Sequence, residues 1–323
     1  MIDAPGPWGT GPFVLTEGYS RIDRRTDTVT LEPNRAYWNP DRIPQARIVY
    51  DNVTSKADAL RSVAAGDGRV DVVMDLGPAE ARSFDGGANG ALQSRAAKTV
   101  LVGVFNEGPD SSPWRDPATR RALNGAVDRQ AVVDALDGHA SVLPALIQPG
   151  RYGAAPGLEP HAHDPAAAAL LRERLGGRDL VLLSSEDWRP VAETLAAGLT
   201  AAGVGVRVVF GEEPAEWDVR LTWHFDWSPQ FPVGVVHREF FGENGAFRTG
   251  PADAGFDALY ARLLRTPHQP AQEAVVREVE RYVHDQAKAL FLVSPHTLFA
   301  VSGRVEFVAY DTCMSELAET RVR

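Results

Sequence analysis

The segment that most restricts the fold runs from Leu180 to Phe210. Leu180-Val181-Leu182-Leu183 is an apolar run of strand length, and Pro190 to Ala202 carries apolar residues at helical spacing behind a proline suited to a first helical turn. Val204 to Phe210 then returns to a β-branched, apolar run. Two strands joined by a helix of this length lie parallel in one sheet, with the helix over one face. This part of the chain is therefore neither all-helical nor all-β, and an α/β fold with a helix-covered parallel sheet is predicted.

The flanking sequence adds to that core. Residues 10–50 alternate apolar and polar positions, as in Phe13-Val14-Leu15 and Thr28-Val29-Thr30-Leu31, and predict antiparallel strands joined by turns. Ser55 to Gly66 is an amphipathic helix with a serine N-cap and a glycine stop, followed by a strand from Arg69 to Met74. Asp116 to Leu136 predicts two short helices joined at a cap near Asp128. After a Pro/Gly-rich loop from Pro144 to Pro160, Asp164 as N-cap and Pro165 as first helical residue open a helix to Leu175. Beyond the βαβ unit come a strand from Trp217 to Trp223, a loop to Pro251, helices over Phe256–Leu264 and Gln269–Gln286, and a strand over Ala289–Val293. No flexible linker marks a boundary, so two lobes would be joined by continuous strands.

Composition excludes several function classes. The 323 residues allow two domains, and 44% hydrophobic with 24% charged residues fits a globular chain. A net charge of −10 argues against nucleic acid as partner, because phosphate binding draws on clustered cations. Lys56, Lys98 and Lys288 are the only lysines among 33 basic residues, so arginine is background here and a single arginine is weak evidence of function. Cys313 is the sole cysteine, which rules out an intrachain disulfide or a cysteine metal cluster. The residues after Met1 have no export-signal pattern, and no apolar run is long enough to span a bilayer. As written, the chain is expected in the cytosol without membrane insertion, or outside the cell if an upstream signal was removed.

Several spaced segments carry a resemblance. They are Gly9-Thr10-Gly11-Pro12-Phe13, Leu31-Glu32-Pro33-Asn34-Arg35-Ala36-Tyr37-Trp38, and Ala64-Ala65-Gly66 followed by Val70-Asp71-Val72. Further on stand Asp116-Pro117-Ala118-Thr119-Arg120-Arg121-Ala122-Leu123-Asn124 with Ala126-Val127-Asp128-Arg129, then His163-Asp164-Pro165, then His284-Asp285-Gln286-Ala287. In this order they resemble the family 5 extracellular solute-binding proteins, the dipeptide, oligopeptide and nickel receptors of ABC importers. The resemblance implies an α/β, type II periplasmic-binding-protein-like fold, with two lobes and a ligand cleft. Lobe I would be reduced, because the family's Gly-Thr-Gly-Pro segment begins at Gly9 rather than well inside the chain. Residues 1–103 and 291–323 would form lobe I and residues 104–290 lobe II, with crossing strands near Val102 to Asn106 and Leu290 to Ser294.

The same resemblance implies a site. Dipeptide receptors hold the ligand ammonium with an aspartate three residues after a tryptophan at a strand end, which corresponds to Asp226 after Trp223. They clamp a ligand carboxylate with an arginine in the loop after the first strand of the βαβ unit, where Arg189 stands between Trp188 and Pro190. Trp188, Trp223 and Trp227 would supply aromatic walls. A carboxylate suits a desolvated ammonium and a guanidinium fork suits a carboxylate. The plainer alternatives are that Asp226 caps a turn, Arg189 is a solvated helix-start residue and the tryptophans are core.

Reactive motifs give less. The eight histidines contain no helical i,i+4 pair, and the one close pair, His161 and His163, lies in a loop beside Asp164, so no metal or cofactor is expected. Gly-x-Ser-x-Gly and phosphate-loop patterns are absent, and Cys313 has no neighbouring base. A polar cluster remains at the expected ends of lobe II strands: Glu186, Asp187, Glu216, Asp218, His224, Asp226 and His237. Two readings stay open. One is a protein that binds a small amine, amino acid or peptide-like ligand, repurposed inside the cell so that an ABC permease partner is doubtful. The other is an intracellular biosynthetic enzyme on the same fold, cyclising or eliminating an amino-acid derivative through Asp226, His224 or His237.

Overall fold

The computed structural model describes residues 9–19, 25–43, 46–212, 214, 216–226, 228, 231–311 and 317–323. Trp227 and Cys313 lie outside the described residues. The chain forms two compact units: Met1–Arg95 with Thr297–Tyr310 and Met314–Arg323, and Ala96–His296 with Asp311–Cys313. The chain changes units after Arg95, His296, Tyr310 and Cys313. The strands expected to cross between lobes both lie wholly in the second unit, because each is a central strand of its sheet.

In the first unit, β1 (Phe13–Glu17), β2 (Thr28–Pro33) and β3 (Ile48–Asp51) make the predicted antiparallel sheet. The helix α1 (Lys56–Ala65) starts where the Ser55 side chain accepts from the Asp58 backbone N–H. It stops at Gly66, whose left-handed φ of 67° suits a residue without Cβ. The strand expected over Arg69–Met74 shortens to β4 (Val72–Val73), and Asp75 just beyond it takes a left-handed φ of 54°. After α2 (Pro78–Ser83) comes β5 (Gly90–Arg95), and the returning strand Thr297–Ser302 pairs between β4 and β5.

The second unit begins with β6 (Thr99–Phe105), then α3 (Pro117–Ala126), α4 (Arg129–Ala135), β7 (Ala140–Val142) and α5 (Ala167–Arg174). The βαβ unit follows as β8 (Leu180–Ser184), α6 (Arg189–Ala201) and β9 (Val206–Phe210). Then come β10 (Val219–Phe225), a π-helical turn Val233–His237 running into α7 (Arg238–Phe241), α8 (Ala254–Leu264), α9 (Gln269–Asp285) and β11 (Leu290–Pro295). The strand order is β7-β11-β6-β10-β8-β9. Only β10, β8 and β9 run parallel, while β6 and β11 pair antiparallel with their neighbours, so the sheet is mixed rather than parallel throughout.

Every residue of β6 is buried, as a central strand covered on both faces requires. Its alternation divides the core: Leu101 and Phe105 face the layer of α3, α4, α5 and α6, whereas Val100, Val102 and Val104 face the layer of α7, α8 and α9. Gly103 sits where a Cβ would come within 2.6 Å of the Val219 side chain and 3.0 Å of Leu290, so only glycine admits both neighbouring strands there.

The most legible motif of the sequence is scaffold. Asp116 and Asp128 cap α3 and α4 as expected. Arg129, 5% exposed, donates to the carbonyls of Phe291 (2.7 Å), Asn124 (3.0 Å) and His161 (3.0 Å) and to the Asn124 side chain (2.8 Å). Arg120 similarly donates to the carbonyls of Trp114, Gln286 and Ala287. These arginines tie the helical layer to β11 and to the end of α9. Asp164 does not cap a helix in the way predicted. Its carboxylate accepts from the Ala166 N–H at 2.9 Å in a preceding turn, and α5 starts two residues after Pro165.

Candidate functional site

The placement of Asp226 follows from sheet register. Phe225 pairs with Thr99 across the antiparallel β10–β6 ladder, so Asp226 and Lys98 face one another one step beyond the two strand ends. The Asp226 N–H donates to the Lys98 carbonyl at 2.7 Å. Its Oδ1 accepts from the Ser228 N–H at 2.8 Å, which is the turn-capping role the sequence left as an alternative. The side chain is 9% exposed, and burial pushes its pKa up against the opposing pull of the Ser228 N–H, Lys98 and His237. A carboxylate in this position gains from a cationic partner that restores the interactions lost with water.

A cavity of about 20 Å³ opens at this carboxylate, enough for about one water. Lys98, Gln148, Arg151 and Tyr152 line it with Asp226, above apolar Val100, Ile147 and Val236. Gln148 fixes the loop, donating to the carbonyls of Ala97 (2.6 Å) and Thr99 (3.1 Å) and to Ser294 Oγ (2.6 Å). Arg151 pairs with Asp311 in the same unit. Lys98, Gln148, Arg151 and Tyr152 were not among the sequence candidates. The one available signal was that the Pro/Gly-rich loop must fold back over a strand end.

The other candidates are dispersed. Trp223 is 39% exposed with its ring 5.6 Å from Phe225. Trp188 packs against the core on the α6 side of the sheet rather than forming a free aromatic wall. Arg189 pairs with Glu186 (2.7 Å) and Glu193 (3.1 Å) and lies over the Phe210 ring, the surface role left open in the sequence. His224 lies among Phe225, Phe240 and Phe247, and burial pushes its pKa down. His237 is fully buried, its Nε2 2.6 Å from Glu280 and its Nδ1 3.2 Å from the Pro232 carbonyl. Glu280 is equally buried and also accepts from the N–H groups of Leu146 and Ile147. It is thus a clasp joining α9, the 233–237 turn and the Pro/Gly-rich loop.

Asp218 leaves the expected cluster altogether. It precedes β10, a strand length or roughly 25 Å from Asp226. There it accepts from the Trp114 indole (2.8 Å), two nitrogens of Arg178 (2.7 Å each) and the Val181 N–H (2.8 Å), and these donors hold its pKa down despite burial. Glu186, Asp187 and Glu216 are exposed. A larger hollow of about 660 Å³ shares Ile147, Arg151 and Tyr152 with the Asp226 cavity and extends along α9 past Glu273 and Arg277. Among the described residues, no group of three His, Cys, Asp or Glu side chains is arranged to hold a metal ion. No described helix is long and apolar enough to cross a membrane.

Comparison with known proteins bears on this geometry. The family profile described as bacterial extracellular solute-binding proteins, family 5 Middle, matches residues 3–232. Di/tripeptide-binding protein 1 of Pseudomonas aeruginosa (strain UCBPP-PA14) is 23% identical over 301 residues, covering 87% of this chain and 54% of that protein. The nickel-binding periplasmic protein of Escherichia coli (strain K12) is 26% identical over 322 residues, covering 89% and 59%. The chain thus spans little more than half the length of these curated relatives. A putative peptide binding protein, AppA, from Clostridium difficile superposes with a TM-score of 0.79 at 15% identity, covering 98% of this chain and 68% of that one. The fold is therefore the mixed α/β, type II periplasmic-binding-protein-like one that the resemblance implied.

Proposed function

The chain belongs to the bacterial extracellular solute-binding proteins of family 5, and from that premise we propose that it binds a small amine, amino acid or peptide-like solute at Asp226. The observation that carries this reading is the Asp226 carboxylate itself, largely buried at a cavity and raised in pKa by burial. A ligand ammonium adds a full charge and further donors to those Ser228 and Lys98 already give, and the carboxylate in turn replaces the water that the ammonium gives up. The di/tripeptide-binding name of a relative is in keeping with an amine-bearing solute.

The test is a thermal-shift screen of amines, α-amino acids and di- and tripeptides, followed by titration of each hit. Trp223, exposed three residues before Asp226, provides a fluorescence signal for the titrations. Stabilisation by amine-bearing compounds that is lost on their N-acetylation is the expected result. A hit list made of compounds without an amino group refutes the reading.

A further inference from the structure

The sequence holds three Asn-Gly pairs, Asn89-Gly90, Asn124-Gly125 and Asn244-Gly245. A glycine has no side chain to keep its backbone nitrogen from the preceding asparagine Cγ, so each pair is chemically primed for loss of the side-chain amide. The sequence treats the three alike, and the fold does not. Asn124 is fully buried in α3, where its Nδ2 donates to the carbonyls of Arg120 (3.1 Å) and Ala289 (3.0 Å). Its Oδ1 accepts from Arg129 (2.8 Å) and from the Phe291 N–H (3.2 Å). Asn89 is at the surface, but its Nδ2 donates to the Ala64 (3.1 Å) and Ala65 (3.2 Å) carbonyls at the end of α1. Its own carbonyl accepts from the Gly303 N–H at 2.7 Å, and Gly90 enters the β5 ladder opposite Ser302. Asn244 stands exposed in the turn between α7 and α8, with a left-handed φ of 59°. Among the described residues its carboxamide has no hydrogen-bond partner. The Gly245 N–H is held only by the Gly242 carbonyl, at 3.1 Å, in a surface turn of the kind that opens locally.

We propose that Asn244 is a site of spontaneous covalent modification in the folded protein, and that the fold protects Asn89 and Asn124 from the same reaction. The Gly245 nitrogen attacks Asn244 Cγ, its proton passing by way of water to the departing ammonia. The new N–C bond closes a succinimide ring as the bond from Cγ to the side-chain nitrogen breaks. Water then opens the ring at one carbonyl or the other, leaving aspartate in the original main chain or isoaspartate, in which the main chain runs through the former side chain. Water is the sole co-reactant and nothing is oxidised or reduced. Either product adds a negative charge beside Glu243, in a turn held by Glu239, whose Oε2 accepts from the Ala246 N–H at 3.0 Å. The isoaspartyl product also lengthens the main chain there by a methylene. That turn seats the Phe247 ring against Phe240 at 4.9 Å and against His224 of β10 at 5.4 Å. Conversion therefore loosens the packing behind the end of β10.

The experiment incubates the full chain, wild type and Asn244→Gly, in mildly alkaline buffer, once folded and once in urea. The three Asn-Gly peptides are followed by mass spectrometry with fragmentation that separates aspartyl from isoaspartyl products. Glycine at this position keeps the left-handed φ without strain and removes the reacting carboxamide. In the folded wild type Asn244 should convert first, with isoaspartate among its products. Asn89 should follow about thirtyfold more slowly, the factor that its two side-chain hydrogen bonds represent, and Asn124 should stay intact. In urea the three should convert at similar rates. Hydrogen exchange at the Ala246 and Phe247 amides of the folded protein should quicken as Asn244 converts and stay constant in Asn244→Gly. Asn89 or Asn124 keeping pace with Asn244 in the fold, or Asn244 reacting in urea and not in the fold, overturns the proposal. Aspartate without isoaspartate overturns the imide route, and amide exchange unaltered by conversion overturns the loosening of the turn.

Discussion

His161 gives the structure a pH-sensitive joint. Its ring stacks on His284 with centroids 4.2 Å apart and planes within 8°, and the Nε2 atoms of both rings are buried without a hydrogen-bond partner. Burial above all, then the His284 and Arg129 charges, pushes the His161 pKa from its ordinary 6.5 down to about 4. Because the folded value lies below the unfolded one, the unfolded chain takes up the proton first as pH falls. Stability is therefore full above about pH 6.5 and is lost progressively toward pH 4. At 1.36 kcal/mol per pKa unit the shift corresponds to at most about 3.4 kcal/mol. The ring is partly open to solvent, which screens it, so a loss of roughly 1.5 kcal/mol is the expected size. His161→Phe preserves the stack on His284 and the contact with Phe291, 6.4 Å away, and removes the titrating group. Native-state hydrogen exchange at the β6 and β11 amides, followed from pH 7.5 to 4.5, reports the stability of the second unit. Wild type should lose about 1.5 kcal/mol more than His161→Phe over this range. Parallel curves for the two proteins would refute the assignment of the joint to His161.

Other consequences can be checked with the same protein. Arg129→Met leaves the Asn124 side chain and three carbonyls without their buried donor, and urea unfolding should show a loss of about 3 kcal/mol, little of it restored by Arg129→Lys. Glu280→Gln weakens the clasp on His237 and the loop N–H groups, with an expected cost of about 2 kcal/mol in the same measurement; an unchanged midpoint contradicts its structural role. Asp226→Asn without ligand should be neutral or stabilising at pH 7. Its pKa is raised in the fold, so the ionised form costs stability once pH exceeds the unfolded value, and the amide removes that cost. A melting temperature clearly below wild type at pH 7 contradicts this. Gly103→Ala should cost about 2 kcal/mol by forcing β10 and β11 away from β6.

Local chemistry made much of the fold legible. The caps at Ser55, Asp116 and Asp128 and the βαβ run from Leu180 to Phe210 declare themselves within a few residues, and each is where the sequence puts it. Pairings across long separations left no such mark. Glu280 reads as one more charge on an amphipathic helix, yet it is fully buried because His237, 43 positions earlier, turns into it. Asp218 and Asp226 look like members of one cluster, although β10 carries them to opposite ends of the sheet. The same register that separates them sets Lys98 against Asp226, which no spacing in the sequence announces. The Trp223-His224-Phe225-Asp226 segment was legible as a candidate through family resemblance. Arg189 was legible only as an arginine after a strand, and the glutamates that occupy it became apparent when α6 formed.

The most direct test of the binding role of Asp226 is the affinity of wild type and Asp226→Asn for the best amine-bearing hit of the thermal-shift screen, measured by calorimetry at pH 7. Removing the carboxylate from a buried ammonium contact costs about 3 kcal/mol, so the dissociation constant should rise about 100-fold while the fold, followed by circular dichroism, is unchanged. Equal affinities in the two proteins would place the ligand elsewhere and contradict the role assigned to Asp226.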